Sequence, residues 1–170
     1  LVVLVILSGL FSSAETALTT VNKLRIRALA EEKSKRAILV SKLIENPSKM
    51  LSAILIGNNI VNLSASSLAT TLAIEYFQSI GAGVVTGILT IAILIFGEIT
   101  PKSLATTYAE KLSLFYAPAI LLLTYILTPV SFLLNILSRG LLFLFRIETN
   151  KKTATVTESE LLTMVEVSHE

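Results

Sequence analysis

Three clusters of polar residues interrupt apolar stretches of the sequence, and their oxygen atoms could bind a cation. The clusters comprise Ser8, Ser12, Ser13 and Glu15; Asn58, Asn59 and Asn62; and the segment Gly97-Glu98-Ile99-Thr100-Pro101-Lys102. The chain has no cysteine and only 1 histidine. Oxygen ligands suit hard cations such as Mg²⁺, Ca²⁺ and Na⁺, whereas thiolate and imidazole suit softer metals. The sequence therefore predicts a hard-cation site.

Glu98 carries the strongest signal, because an ionised carboxylate at the bilayer centre costs at least about 2.5 kcal/mol and must be paired or hydrated. Pro101 has no N–H, so the carbonyl of Gly97, four residues earlier, loses its helical hydrogen bond, and no side chain covers it. At 1.5 Å per residue, Ser12, Asn62 and Glu98 lie near the middle of three predicted spans. We therefore predict that these three side chains and the freed carbonyl form one site.

The neighbouring polar residues allow two interpretations. Ser13, Asn58 and Asn59 are secondary ligand candidates at the predicted site. Small residues and amides also hold helices together in membranes, so the asparagines, including Asn62, are alternatively packing residues.

Charged residues near the site also have structural interpretations. Glu98 and Lys102 have the i, i+4 spacing of an ion pair on a helix, although Pro101 lies between them. Glu15 is interpreted as capping polar groups in the inner half of the first helix. His169 is interpreted as a solvated linker residue.

The amino-acid composition indicates whether the chain is surrounded by water or by lipid. Its 170 residues are 53% hydrophobic and 15% charged, against roughly 25% charged in ordinary soluble domains. A soluble globular protein is therefore excluded, as are a disordered chain and a disulfide scaffold. No nucleophile with a positioned base is evident, so we expect no enzyme. We expect membrane lipids, and no nucleic acid, as partners.

Apolar segments long enough to cross a membrane occur at about 1–21, 50–74 and 80–109. More than half of the 14 lysines and arginines lie in 22–49, which we predict to be a cytoplasmic helical hairpin, because basic connections stay inside. The N-terminus is then outside and the C-terminus cytoplasmic. The sequence thus predicts an all-α membrane protein with three transmembrane helices per subunit.

The remaining segments are predicted to lie on the cytoplasmic side. Because Pro118 and Pro129 interrupt the apolar stretch 112–145, we predict a re-entrant or interfacial helical hairpin there; a fourth span is the alternative. We interpret 151–170 as the start of a linker to a cytoplasmic region outside this chain, and we expect a few residues upstream of Leu1.

The order and spacing of the three clusters resemble those of a known family over residues 1–150. The matching motifs are Phe11-Ser12-Ser13-Ala14-Glu15-Thr16-Ala17-Leu18, Leu55-Ile56-Gly57-Asn58-Asn59-Ile60-Val61-Asn62 and Phe96-Gly97-Glu98-Ile99-Thr100-Pro101-Lys102. This pattern is similar to the transmembrane domain of the CNNM/CorC magnesium transporters, also called DUF21. The resemblance implies Mg²⁺ export coupled to Na⁺ entry by a homodimer, with helices packed along the cytoplasmic face.

The resemblance also implies a ligand set and a cellular location. In the family, the cation is held at positions matching Ser12, Asn62, Glu98 and the backbone of Gly97. We expect the inner membrane of a bacterium or archaeon. The family normally continues into a pair of CBS domains that bind ATP-Mg²⁺, which this chain lacks.

Two alternatives to Mg²⁺ export remain open at this point. The domain could be a Mg²⁺ sensor or scaffold that regulates another transporter. It could also export another divalent cation such as Co²⁺, which an oxygen site admits weakly.

Overall fold

The computed structural model describes residues 1–144, with the side chains at 77–82, 135, 139 and 141–144 left aside. The described backbone is helical, which confirms the predicted all-α class. Its elements are α1 (Val2–Thr20), α2 (Lys23–Glu31), α3 (Lys35–Glu45), α4 (Pro47–Leu94), a π-helical turn (Ile95–Ile99), α5 (Thr100–Thr107) and α6 (Ala109–Leu144). The predicted linker 151–170 lies outside the described residues.

The chain divides into two units, Leu1–Ser131 and Phe132–Glu170. The first unit contains the clusters singled out in the sequence. Of the second, the description covers only the end of α6.

Within the described residues, four helical segments are long and apolar enough to cross a membrane: Val2–Thr20, Pro47–Tyr76, Gly83–Thr107 and Ala109–Ser138. The first three overlap the spans predicted from the sequence, and the fourth matches the alternative considered for the stretch after residue 111. Side chains such as Val3, Leu63 and Val84 are exposed, as lipid-facing residues of a membrane protein are.

Helix α4, with 48 residues, is longer than one membrane crossing. The chain reverses direction within this range, so its two ends form separate helical segments. The hydroxyl of Ser8 contacts both Asn62 and Gly97, whereas a straight helix would separate residues 62 and 97 by about 50 Å. Ser66 and Thr90 line one common cavity, so the reversal lies between them. This reversal brings the second and third polar clusters to the same place on α1.

Helix α1 presents a face of small residues to its neighbours. The buried residues of this face are Ser8, Gly9, Ser12, Ser13, Ala14, Ala17 and Leu18. A side chain at Gly9 would place its Cβ 3.1 Å from Pro101 Cγ, and one at Gly57 would place its Cβ 2.9 Å from the Phe11 ring. Small residues allow such close approach between membrane helices, so this face fixes the registers of α1 against α4 and α5.

The basic segment forms the two helices α2 and α3, as the predicted hairpin requires. Asn22 begins α2, where its side-chain oxygen accepts hydrogen bonds from the N–H groups of Leu24 and Arg25 at 3.0 and 3.2 Å. Asn46 follows α3, and Pro47 is the first residue of α4. An apolar core joins these helices to α1, α4 and α6 through Leu18, Val21, Ile26, Val40, Leu43, Met50, Ile54, Ala117 and Ile120.

The described part of the stretch 112–145, where the sequence predicts a helical hairpin, is assigned to a single helix. Helix α6 continues through Pro118 and Pro129 to Leu144. A proline removes one backbone donor, but neighbouring helices and hydroxyl side chains allow apolar helices to continue past it. The Thr124 and Thr128 hydroxyls donate to the carbonyls of Ile120 and Thr124, which are not the carbonyls of Leu114 and Tyr125 that the two prolines leave without a donor.

Candidate functional site

Three oxygen atoms from separate parts of the chain meet at the buried side chain of Ser8. Its hydroxyl lies 2.6 Å from Asn62 Oδ1 and 3.2 Å from the carbonyl oxygen of Gly97. The hydroxyl has one hydrogen to donate, so the two acceptors share it. A Cβ at Gly97 would lie 3.0 Å from Ser8 Oγ, and the absence of a side chain there allows this contact.

The Gly97 carbonyl is available because the helix changes its hydrogen bonding around it. Residues Ile95–Ile99 form a π-helical turn, in which the N–H of Thr100 bonds to the carbonyl of Ile95. Pro101 has no N–H to donate to the Gly97 carbonyl. The freed oxygen accepts the hydroxyl of Ser8 instead, and π turns of this kind are frequent at functional sites.

Glu98 follows this carbonyl and forms an ion pair. Its Oε1 lies 3.0 Å from Lys102 Nζ, the i, i+4 pair considered from the sequence. Lys102 Nζ also lies 3.9 Å from Glu15 Oε2. Glu15 therefore contacts the charge of Lys102, and no contact of a capping kind is found for its carboxylate among the described residues.

We call the contact of Ser8 with Asn62 and the Gly97 carbonyl the first level. A second polar level lies one helical turn along the α1–α4 interface. The Ser8–Asn62 and Phe11–Gly57 contacts show that the two segments are antiparallel. Four residues further along α1 is Ser12, and four residues back along α4 is Asn58, so both lie about 6 Å from the first level. Both residues are buried, and neither Ser12 Oγ nor Asn58 Oδ1 has a hydrogen-bond partner among the described residues.

The other predicted residues have different surroundings. Ser13 donates to Tyr116 Oη at 2.7 Å and thereby joins α1 to α6. Asn59 is exposed. Pro101 packs close to Gly9. The structure thus brings Asn62 and Gly97 into direct contact with Ser8, and it places Ser12 one turn away from them.

A cavity of about 140 Å³ adjoins the first level and is bounded by Ser8, Asn62, Ser66, Thr90, Ile93, Leu94 and Glu98. This volume is enough for several water molecules. Glu98 thus both lines the cavity and holds Lys102. Within residues 1–144, no three histidine, cysteine, aspartate or glutamate side chains gather into a metal cluster, so neutral oxygens dominate the cavity.

Sequence reasoning missed Ser8, Ser66 and Thr90 as lining residues. Ser8 belongs to the first cluster and shares a helix face with Ser12. Ser12 was selected as the ligand because it lies nearer the middle of the first predicted span. Ser66 follows Asn62 by one turn, and the spacing of four places it on the same helix face as Asn58 and Asn62, but it was not selected as a ligand. Thr90 has no signal of its own in the sequence, because its position depends on the reversal of α4.

The groups that meet at Ser8 are a hydroxyl, a side-chain amide oxygen and a backbone carbonyl. These are oxygen types that hard cations accept as ligands.

Comparisons with known proteins place this chain in a group of membrane proteins. It is 37% identical over 165 residues to a UPF0053 protein of Haemophilus influenzae and 35% identical over 165 residues to the UPF0053 inner membrane protein YfjD of Escherichia coli. These alignments cover 97% and 95% of this chain but only 39% and 38% of the relatives. It is also 25% identical over 183 residues to the polyamine export protein of Haemophilus influenzae, covering 100% of this chain and 42% of that relative.

The family profile described as "Cyclin M transmembrane N-terminal domain" (CNNM) matches residues 1–170. With its apolar helices, the chain is a multi-pass membrane protein. The predicted resemblance to this family is confirmed, and the chain belongs to the CNNM transmembrane domain family.

Proposed function

We propose that this domain carries Mg²⁺ out of the cell, coupled to Na⁺ entry, through the polar α1–α4 interface. The observation that supports this most is the meeting of Ser8 Oγ, Asn62 Oδ1 and the Gly97 carbonyl beside a cavity that Glu98 also lines. Mg²⁺ prefers one or two carboxylates with neutral oxygens and keeps several waters. The cavity has room for those waters.

Ser12 and Asn58 extend the proposed ligand set. Their unpaired oxygens lie one turn from the first level, and a buried oxygen without a partner costs roughly 1–3 kcal/mol. A cation that moves along the interface would meet these oxygens after leaving the first level. In this proposal, one face of α1 and one face of α4 provide successive oxygen contacts along the path.

The rest of the arrangement follows the family and the charges of the chain. The N-terminus lies outside, and the basic connection between α1 and α4 lies in the cytoplasm. With α6 lying along the cytoplasmic face and not crossing the membrane, the C-terminus is inside. Two copies form a dimer in the inner membrane of a prokaryotic cell. Cytoplasmic CBS domains that bind ATP-Mg²⁺ regulate the whole protein, of which this chain is one part.

A flux measurement tests this proposal directly. The protein is reconstituted into liposomes loaded with Mg²⁺ and an indicator, and an inward or outward Na⁺ gradient is imposed. We expect wild-type flux that depends on the Na⁺ gradient, and a loss of about tenfold or more with Glu98→Gln or Asn62→Ala, since each removes a ligand. Glu75→Gln is the matched control, because Glu75 is an exposed carboxylate elsewhere on α4.

The outcomes separate the alternatives. Wild-type rates in Glu98→Gln and Asn62→Ala would remove these residues from the path. Mg²⁺ binding without flux under any Na⁺ gradient would favour a sensor or scaffold. A higher flux of Co²⁺ than of Mg²⁺ would change the cargo and leave the site unchanged.

Export of an alkylammonium is a second candidate function. One relative is named a polyamine export protein, and Glu98 here accepts an alkylammonium group, that of Lys102, at 3.0 Å. Liposomes loaded with labelled putrescine test it. Putrescine release that Mg²⁺ inhibits and that Glu98→Gln abolishes would favour this candidate. The absence of putrescine release would contradict it.

A further inference from the structure

Lys102 lies between two carboxylates that belong to different helical elements. Its ammonium is 3.0 Å from Glu98 Oε1 in the π turn and 3.9 Å from Glu15 Oε2 in α1. All three side chains are about one-third exposed, at 37% for Lys102 and Glu98 and 35% for Glu15. The lysine therefore forms a close pair with one carboxylate and lies just beyond hydrogen-bonding distance of the other.

The closer carboxylate, Glu98, also lines the cavity with Ser8 and Asn62. A cation in that cavity and the ammonium of Lys102 would both be attracted to Glu98 and would repel each other. Their binding to this carboxylate is therefore competitive. Glu98 can therefore bind a cation in the cavity only when its ion pair with Lys102 is broken.

We infer that Lys102 is a built-in counter-ion that moves from Glu98 to Glu15 when a cation enters the cavity, and returns when the cation leaves. The inference rests on the proposed function and adds a regulation of the same site. In this exchange Glu98 always has a positive partner, so the carboxylate is never left unpaired in a region of low polarity. The returning ammonium displaces the cargo.

The exchange requires only side-chain motion. The lysine side chain has four rotatable bonds and a compact ammonium, so it can turn from one carboxylate to the other without moving α1 or α5. Glu15 is already 3.9 Å away. Movement of the Lys102 ammonium requires a second carboxylate within reach, and Glu15 provides it. A lysine that only orients Glu98 would require no second carboxylate.

Binding measurements with two opposite substitutions test this inference. Mg²⁺ is titrated calorimetrically into the purified full chain in detergent micelles, without nucleotide. Lys102→Met removes the competitor, so we expect about fivefold tighter Mg²⁺ binding, since partly exposed ion pairs are worth about that factor. Glu15→Gln removes the second acceptor and keeps Lys102 on Glu98, so we expect about fivefold weaker binding.

The double variant and two controls make the result specific. With Lys102→Met present, Glu15→Gln should have no further effect, because Glu15 acts only through Lys102. Lys102→Arg keeps a cation and should bind Mg²⁺ close to wild type. Lys111→Met removes a lysine that is exposed and in no ion pair among the described residues, and should also leave the affinity unchanged.

The possible failures are distinct. A wild-type chain that binds neither Mg²⁺ nor another cation contradicts the proposed function itself. Wild-type Mg²⁺ binding that Lys102→Met leaves unchanged or weakens overturns the exchange, because a lysine that merely orients Glu98 would give that sign. Additive effects in the double variant overturn the role of Glu15.

Discussion

At one level of the α1–α4 interface, Ser8 donates its hydrogen toward Asn62 and the Gly97 carbonyl. One helical turn further along, Ser12 and Asn58 are both buried, and Ser12 Oγ and Asn58 Oδ1 have no partner in the described part of the chain. The two levels contain the same residue types on the same two helices.

The π turn is one difference between these levels. It brings the freed Gly97 carbonyl to the first level as a second acceptor for the single hydrogen of Ser8. Burial of a polar atom without a partner costs about 1–3 kcal/mol, so the second level is destabilising as it stands. Pairs of the same residue types on the same two helices thus differ in their hydrogen bonding.

The largest effect on this comparison is expected from Gly97→Val. The added side chain would start 3.0 Å from Ser8 Oγ and 3.3 Å from Ser8 Cβ, so Ser8 must shift and its contacts at the first level are disrupted. We expect a destabilisation of about 3 kcal/mol, as for overpacked cores, measured by thermal unfolding in detergent. Gly87→Val is the control, since a Cβ at Gly87 meets nothing within 4 Å; equal losses would contradict the close contact.

Ser8→Ala breaks the first level more gently. It leaves Asn62 Oδ1 and the Gly97 carbonyl without their donor, and we expect a loss of about 2 kcal/mol by the same unfolding measurement. Ser64→Ala is the matched control, because the Ser64 hydroxyl donates only to the Ile60 carbonyl on an exposed face. A stability equal to that of the control would mean that Ser8 is not the donor at this level.

Ser13 tests a paired hydroxyl on the same turn as Ser12. Ser13→Ala and Tyr116→Phe each remove the hydrogen bond between these residues, and we expect each to cost about 1 kcal/mol in stability. The double variant should cost little more than either single one, because both remove the same bond. Fully additive losses would indicate that the two hydroxyls have other partners.

Ser12→Ala should change the stability least, and it tests directly whether the second polar level lacks hydrogen bonds. In Mg²⁺-free buffer the stability should stay the same or rise by up to about 1 kcal/mol, because a buried unpaired hydroxyl is removed. If Ser12 contacts the cargo, the variant should also show a smaller rise in unfolding temperature on addition of Mg²⁺. A loss as large as that of Ser8→Ala would show that Ser12 has a partner in the empty state.

The chemistry at the third cluster was the most predictable part of the site. Pro101 lacks an N–H, and that single covalent fact identifies the Gly97 carbonyl as free. The spacing of Glu98 and Lys102 likewise indicates their ion pair. These inferences depend on residues within one turn of each other, so local geometry is enough.

The register between helices could not be predicted in the same way. Ser8 and Ser12 share a face of α1, and depth arithmetic cannot distinguish residues one turn apart. The register is set by close contacts between distant residues, such as Gly9 with Pro101. The continuity of α6 through Pro118 and Pro129 was missed for a related reason, since packing partners decide whether a proline ends a helix.

The pairing of Glu98 with Lys102 also has a consequence for how the protein enters its membrane. Both residues lie in the segment Gly83–Thr107, one turn apart, so their charges can neutralise each other before any other helix arrives. An unpaired charge at the centre of a lipid bilayer costs at least about 2.5 kcal/mol. The segment therefore brings its own neutralising partner during biogenesis, and its insertion need not wait for assembly with α1.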